Sequence, residues 1–187
     1  MSRPVEYDLD DVTEKITHLF WLKGYEGTAI SEVVNETGLN TRTMYKLFHD
    51  KDGLFEAALT YYRDRFLSKQ VELLITKSGI AGVEALIDMA SNLQLINGCF
   101  FVNALTEVNL ISKKSLKIIQ KFFHSLEEQV TINLEQAKKE KSITGDPKTI
   151  AKLLVCFMHG STILARQKPS PKEMERMVTH LKQFIRS

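Results

Sequence analysis

Residues 28–48 read T-A-I-S-E-V-V-N-E-T-G-L-N-T-R-T-M-Y-K-L-F, and two short helical patterns meet in them at a glycine. The first runs from Ala29 to Glu36, with Ile30, Val33 and Val34 on one face. Gly38 follows where a tight helix C-terminus needs a positive φ. Leu39 pins the corner, and Asn40 suits the N-cap of a second helix from Thr41 to Phe48, with Met44 and Phe48 inward. A helix, a glycine turn and a helix of about two turns predict a helix-turn-helix, whose second helix enters the DNA major groove.

The flanks extend this unit. Asp10 and Asp11 put negative charge where a helix N-terminus favours it. Val12, Ile16, Leu19 and Phe20 recur at helical spacing until Lys23-Gly24 ends the pattern. Trp21 widens the apolar arc and reads as a packing residue. Thr28 suits the N-cap of the next helix, and its hydroxyl with the free N–H groups there suits a phosphate. Beyond Phe48, Asp50 can cap a long helix from Lys51 carrying Leu54, Phe55, Ala58, Leu59, Tyr62 and Phe66, roughly 25 residues in all.

The order L-F-x-x-x-G-Y-E-x-T, then I-x-x-V, then T-G-L-N-x-x-T-M-Y-K-L-F-x-x-K-x-x-L resembles the DNA-binding domain of TetR-family transcriptional repressors over about Ile16–Tyr62. The chain departs from that pattern at Arg42, where a small residue is common, and at Leu47, where a His or Tyr is common. Gly98-Cys99, Asn103 and Glu107 are similar to a pattern near the effector cavity in one group of these repressors. The resemblance implies a homodimer on a double-stranded DNA operator, released when a small-molecule effector shifts the long helix from Lys51.

The remainder is helical in pattern. Val83, Leu86, Ile87, Ala90 and Leu93 mark a helix over 80–95, which Gly98 breaks. Ser112 caps a helix from Lys113 to about Lys141, with Leu116, Ile119, Phe123, Leu126, Val130 and Leu134 inward. Its Lys113, Lys114, Lys117 and Lys121 read as a solvated face. Gly145-Asp146-Pro147 is a link, an N-cap and a proline at the first helical position. The helix that follows, to Ala165, is apolar nearly all round, so a second chain is expected to cover part of it. Ser170-Pro171-Lys172-Glu173 opens a last helix with a capping box.

No strand pattern and no run of 18 apolar residues occurs. The reading is all-α, with about nine helices: a three-helix DNA-binding domain over 1–50 and a larger helical effector-binding and dimerisation domain over 51–187. The acidic N-terminus lacks the apolar core of a secretory signal, which suggests the cytoplasm. The net charge of +2 is uneven. Residues 1–51 hold six Lys/Arg against nine Asp/Glu, a net of −3, but the acids cluster before the helix pair (Glu6, Asp8, Asp10, Asp11, Glu14) while Arg42, Lys46 and Lys51 lie on or beside its second helix. Cys99 and Cys156 form neither a disulfide framework nor a zinc site and read as buried thiols. No phosphate loop, metal spacing or nucleophile elbow points to an enzyme, and no metal or cofactor is expected.

Three residue sets follow. Operator contact falls to Thr41, Arg42 and Thr43 at the start of the second helix, where Arg can bond guanine O6 and N7 and Thr can meet thymine. Tyr45, Lys46, Lys51 and Thr28 suit phosphates. An apolar effector pocket draws on Met89, Phe100, Phe101, Asn103, Glu107, Phe122 and Phe123, with Asn103 and Glu107 four apart on one helix face. A dimer interface draws on Leu154, Phe157, Met158 and Ser161, and on Met174, Met177, Val178 and Leu181. Two alternatives use the same chain: a thiol-based redox-responsive regulator acting through Cys99, and a helical interaction module that has lost DNA binding.

Overall fold

The computed structural model describes residues 7–92 and 97–186, without the side chain of residue 92. Leu93 and Leu95 of the helical pattern expected over 80–95 lie outside them. Among the described residues there are ten α-helices and no strand. They are α1 (Leu9–Lys23), α2 (Ile30–Thr37), α3 (Thr41–Phe48), α4 (Lys51–Tyr62), α5 (Ser68–Thr76), α6 (Gly79–Asn92), α7 (Phe100–Leu105), α8 (Lys113–Lys139), α9 (Pro147–Ala165) and α10 (Pro171–Arg186). A π-helical turn, Arg63–Leu67, joins α4 to α5, so 51–76 is one rod. Counted with that rod as one helix, the described residues hold nine.

Local chemistry sets the boundaries. Asp8 Oδ1 accepts from Asp10 N–H, Asn40 Oδ1 from Thr43 N–H and Asp50 Oδ1 from Gly53 N–H, opening α1, α3 and α4. Ser112 opens α8 by accepting from Ser115 N–H, and Asp146 opens α9 by accepting from Thr149 N–H. Ser170 and Glu173 exchange hydrogen bonds at the start of α10. Gly38 closes α2 at φ 71°, the left-handed conformation a side chain would strain.

The core runs unbroken from the helix-turn-helix into the larger bundle. Phe20 of α1 meets Phe55 of α4 edge-on at 5.0 Å, Phe55 meets Phe100 of α7 at 5.5 Å, and Phe100 meets Tyr62 at 5.6 Å. Trp21 packs against Tyr62 at 5.0 Å, as a packing residue. α8 carries Ile119, Leu126, Val130 and Leu134 into the bundle, where α4, α5, α6 and α9 surround it.

Two apolar expectations change here. Leu154 and Met158 of α9 are buried within their own chain, so the outward face of α9 is Leu153, Cys156, Gly160 and Ile163. Cys156 is therefore exposed, and only Cys99 is a buried thiol. α9 is long and apolar enough, by length and composition, to cross a membrane, but it lies with one face against the bundle. On α10, Val178 and Leu181 turn toward the core beside α6, where Lys182 pairs with Asp88 and Arg186 with Glu84. Phe157, Ser161, Met174 and Met177 remain half-buried.

Candidate DNA interface and effector cavity

α3 is held by two plugs. Met44 is fully buried and Phe48 nearly so, in a core with Val33, Leu39 and Leu54. Four residues then face outward together: Thr41, Arg42, Tyr45 and Lys46 are all exposed, and Thr43 is half-buried. Among the described residues neither Arg42 nor Lys46 joins an ion pair. A short helix with a buried back and an uncommitted basic, hydroxylated front can enter a groove and offer donors to bases and phosphates.

Thr28 and Lys51 stand differently from expectation. Thr28 is buried, and its hydroxyl donates to the Gly24 carbonyl at 2.8 Å. Ala29 occupies the N-cap place of α2, and its N–H is taken by Glu32 Oε2 at 3.1 Å. The hydrogen bond from Lys23, with that backbone N–H, holds the Glu32 carboxyl below its usual range. A carboxylate at that terminus competes with a phosphate, and a buried hydroxyl cannot hold one. Lys51 is half-buried, with Nζ donating to the Glu26 carbonyl at 3.3 Å and standing 4.7 Å from the centre of the Tyr25 ring. It ties the α1–α2 turn to α4.

The turn after α1 is also gripped from the larger bundle. Glu107 Oε2 accepts from Tyr25 N–H at 2.7 Å and Oε1 accepts from Glu26 N–H at 3.0 Å. Gly24 lies beneath at φ 78° and ψ 179°, where a Cβ would come within 2.6 Å of Glu107 Oε2. Trp21 Nε1–H donates to the Gly98 carbonyl at 3.0 Å. Tyr25 OH donates to Asp52 Oδ1 at 2.6 Å, and burial with that bond pushes its phenol up.

Glu107 is therefore a latch between helices, not a cavity residue. α7 ends at Leu105, so Asn103 and Glu107 do not share a helix face. Asn103 Nδ2–H donates to the Asn97 carbonyl at 2.8 Å and fastens that loop. The cavity lies deeper, enclosing about 50 Å³ between the rod, α7, α8 and α9. Of the seven expected pocket residues, Phe122 and Phe123 line it. Phe100 and Phe101 are core behind its wall, and Met89, on α6, is not among the lining residues. Cys99, which the resemblance put near the cavity, lines it, and the sequence reading missed Tyr62, Phe66, Gln70, Met158 and His159, which line it too.

Cys99 and Tyr62 are hydrogen-bonded to each other, and burial pushes both up, so both are neutral. His159 meets the Phe123 ring at 4.3 Å, and burial holds its imidazole below the usual range. Among the described residues its Nε2 is buried without a hydrogen-bond partner. Among the described residues no cluster of three His, Cys, Asp or Glu side chains could hold a metal ion.

The chain matches two family models: "Bacterial regulatory proteins, tetR family" over residues 13–58 and "Tetracyclin repressor-like, C-terminal domain" over 80–181. It is 29% identical over 182 residues to the HTH-type transcriptional repressor ComR of Escherichia coli K12, covering 92% of this chain and 86% of that one. A TetR-family regulator from Agrobacterium tumefaciens superposes with a TM-score of 0.83 at 17% identity, over 95% of this chain and 97% of that one. The TetR-family regulator CifR, a cysteine mutant solved with 26-base-pair operator DNA, superposes at 0.79 with 18% identity, over 97% and 98% of the two chains.

Proposed function

Since this chain belongs to the TetR family and is a DNA-binding transcriptional regulator, we propose that it is a repressor that binds a palindromic double-stranded operator as a homodimer and leaves it when a small molecule fills the cavity. The observation that carries the reading is the outward face of α3, Thr41, Arg42, Tyr45 and Lys46, exposed over a buried Met44 and, among the described residues, free of ion pairs. Arg42 and the two threonines are the base readers; Tyr45 and Lys46 hold phosphates. The three-helix unit to residue 50 binds DNA, and 51–187 receives the effector and the second chain. The apolar outer face of α9, with Leu153 and Ile163 each 49% exposed, supports the second chain as its cover. Two-fold symmetry of the dimer then requires a near-palindromic site. Such a protein works in the cytoplasm, where its operator is.

The test begins with operators selected from genomic fragments. Arg42→Ala is expected to cost about 1–3 kcal/mol on the matched site and to relax preference at one base position. An equal loss on matched and mismatched sites would make Arg42 a phosphate contact. The redox alternative is weakened by Cys99 itself. The thiolate is the reactive form, and burial works against it.

A further inference from the structure

The cavity's lining says what it will accept. Among the described lining residues none carries a charge. Entering a site without counter-charges would leave a carboxylate or an ammonium desolvated and unpaired, which is prohibitive beside any gain from apolar contact. The walls are aromatic rings, two pairs set edge to face and one, Tyr62 with Phe66, stacked. Phe122 and Phe123 stand at 5.6 Å, Phe123 and His159 at 4.3 Å, and Tyr62 and Phe66 at 5.2 Å. Such walls complement a flat apolar body.

Part of the polar capacity in the lining is spent. The Cys99 thiol and the Tyr62 hydroxyl satisfy each other, and Thr162 Oγ1–H donates to the His159 carbonyl at 2.9 Å. Among the described residues two groups are left: the Gln70 amide, which makes no side-chain hydrogen bond, and His159 Nε2, which alone of the two is fully buried and unpartnered. Buried polar atoms without partners are rare and costly, so a ligand that satisfies this one gains what the empty protein lacks. A neutral imidazole presents Nε2 as an acceptor or a donor according to its tautomer. A hydroxyl can answer either.

We propose that the cavity takes a compact, uncharged molecule with a flat apolar body and a hydroxyl, of the phenol class, seated with that hydroxyl on His159 Nε2. This rests on the effector reading above and names its ligand chemistry. Size adds a mechanical consequence. The resting space of about 50 Å³ is well below the roughly 150 Å³ in which a benzene ring has been accommodated. Phe66 lines the cavity, stands 45% exposed and sits in the π-helical turn. It is the wall that can withdraw without opening the core. The ligand therefore selects an expanded state, as an inducer must.

Calorimetry on the full chain without DNA tests this with three probes: phenol, toluene and benzoate. Phenol is expected to bind about tenfold tighter than toluene, the worth of one net hydrogen bond, and benzoate more weakly than either. His159→Phe should bring phenol level with toluene while toluene still binds, which also reports that the variant is folded. His159→Gln, which keeps a hydrogen-bonding group, should preserve the preference. Equal binding of phenol and toluene to the unsubstituted chain would overturn the proposal, as would binding of benzoate as tight as phenol's, a phenol preference that survives in His159→Phe, or failure of all three to bind. Operator release is read separately. Phenol bound through His159 without release would refute the effector reading and leave the ligand chemistry standing.

Discussion

Replacing Glu107 with alanine removes two hydrogen bonds that join the regulatory bundle to the turn after α1. The bond from Tyr25 N–H is partly buried, at 2.7 Å, and the bond from Glu26 N–H is exposed, at 3.0 Å. A hydrogen bond to a charged group contributes about 1.5–3 kcal/mol where water cannot replace it, and about 0.5 kcal/mol where it can. The pair is therefore worth about 2–3.5 kcal/mol. For a chain of this length each kcal/mol moves Tm by about 2–4 °C, so Glu107→Ala should lower Tm by about 4–14 °C. Gly24→Ala gives an independent handle. The backbone there lies in a region open essentially to glycine, and a Cβ would meet Glu107 Oε2 at 2.6 Å and Oε1 at 2.9 Å. The carboxylate can escape only by leaving the two N–H groups, so Gly24→Ala also breaks the latch. Added to Gly24→Ala, Glu107→Ala should then cost almost nothing further. Thermal denaturation of the two single variants and the double variant would measure a coupling of about 2 kcal/mol, against the ~0.5 kcal/mol within which independent sites add. Additive losses, or an unchanged Tm in Glu107→Ala, would refute the latch.

Two other outcomes follow from the same geometry. Leu153→Glu should leave the protomer's stability nearly unchanged, because the side chain is 49% exposed there; across a dimer interface the unpaired charge should cost about 3–5 kcal/mol, seen by sedimentation as dissociation. A dimer of unchanged affinity would remove the outer face of α9 from the interface. Stability should also fall with pH below about 6.5, because the unfolded chain then takes up a proton that the buried His159 resists. Tyr62 and Cys99 face the same cavity but are pushed up, so they stay neutral through that window. His159→Phe should flatten this part of the pH–Tm curve, and equal slopes with and without the substitution would show that the imidazole is not responsible.

The elements legible in the sequence are those written locally. Asn40, Asp50, Ser112, Asp146 and Ser170 each cap the helix expected of them, and Gly38 takes the positive φ its place implied. α3 spans the residues expected from Met44 and Phe48. Thr28 misled because a threonine before a helix can bond forward or backward, and the Gly24 carbonyl, no longer used by α1, took its hydroxyl. The two faces of α9 were indistinguishable because both are apolar. Leu154 and Met158 went to the interface, and His159, one residue further round, was overlooked as a cavity residue. Glu107 was assigned to a helix face that α7 ends too early to provide, and its partners lie 81 and 82 residues away. No local pattern encodes a contact of that separation.

Two paths lead from the cavity to α3, and they converge. Tyr62, Phe66 and Leu67 border the cavity on the rod, whose other end starts at Lys51, three residues after α3. Cys99 and Val102 border it on the α7 side, from which Gly98 holds Trp21 and Glu107 holds the turn at Tyr25. Tyr25 is bonded to both paths: its N–H to Glu107, its hydroxyl to Asp52, its ring beneath Lys51. A ligand that widens the cavity pushes the rod and α7 apart, and the three-helix unit cannot follow both. Either it turns with the rod and the latch opens, or it stays with α7 and the contacts of Asp52 and Lys51 give way. Both sets of bonds are worth about the same as an allosteric coupling, 1–3 kcal/mol, or about 5–150-fold in operator affinity. The joint is thus strong enough to hold the reading helices in register and weak enough for one well-seated ligand to break.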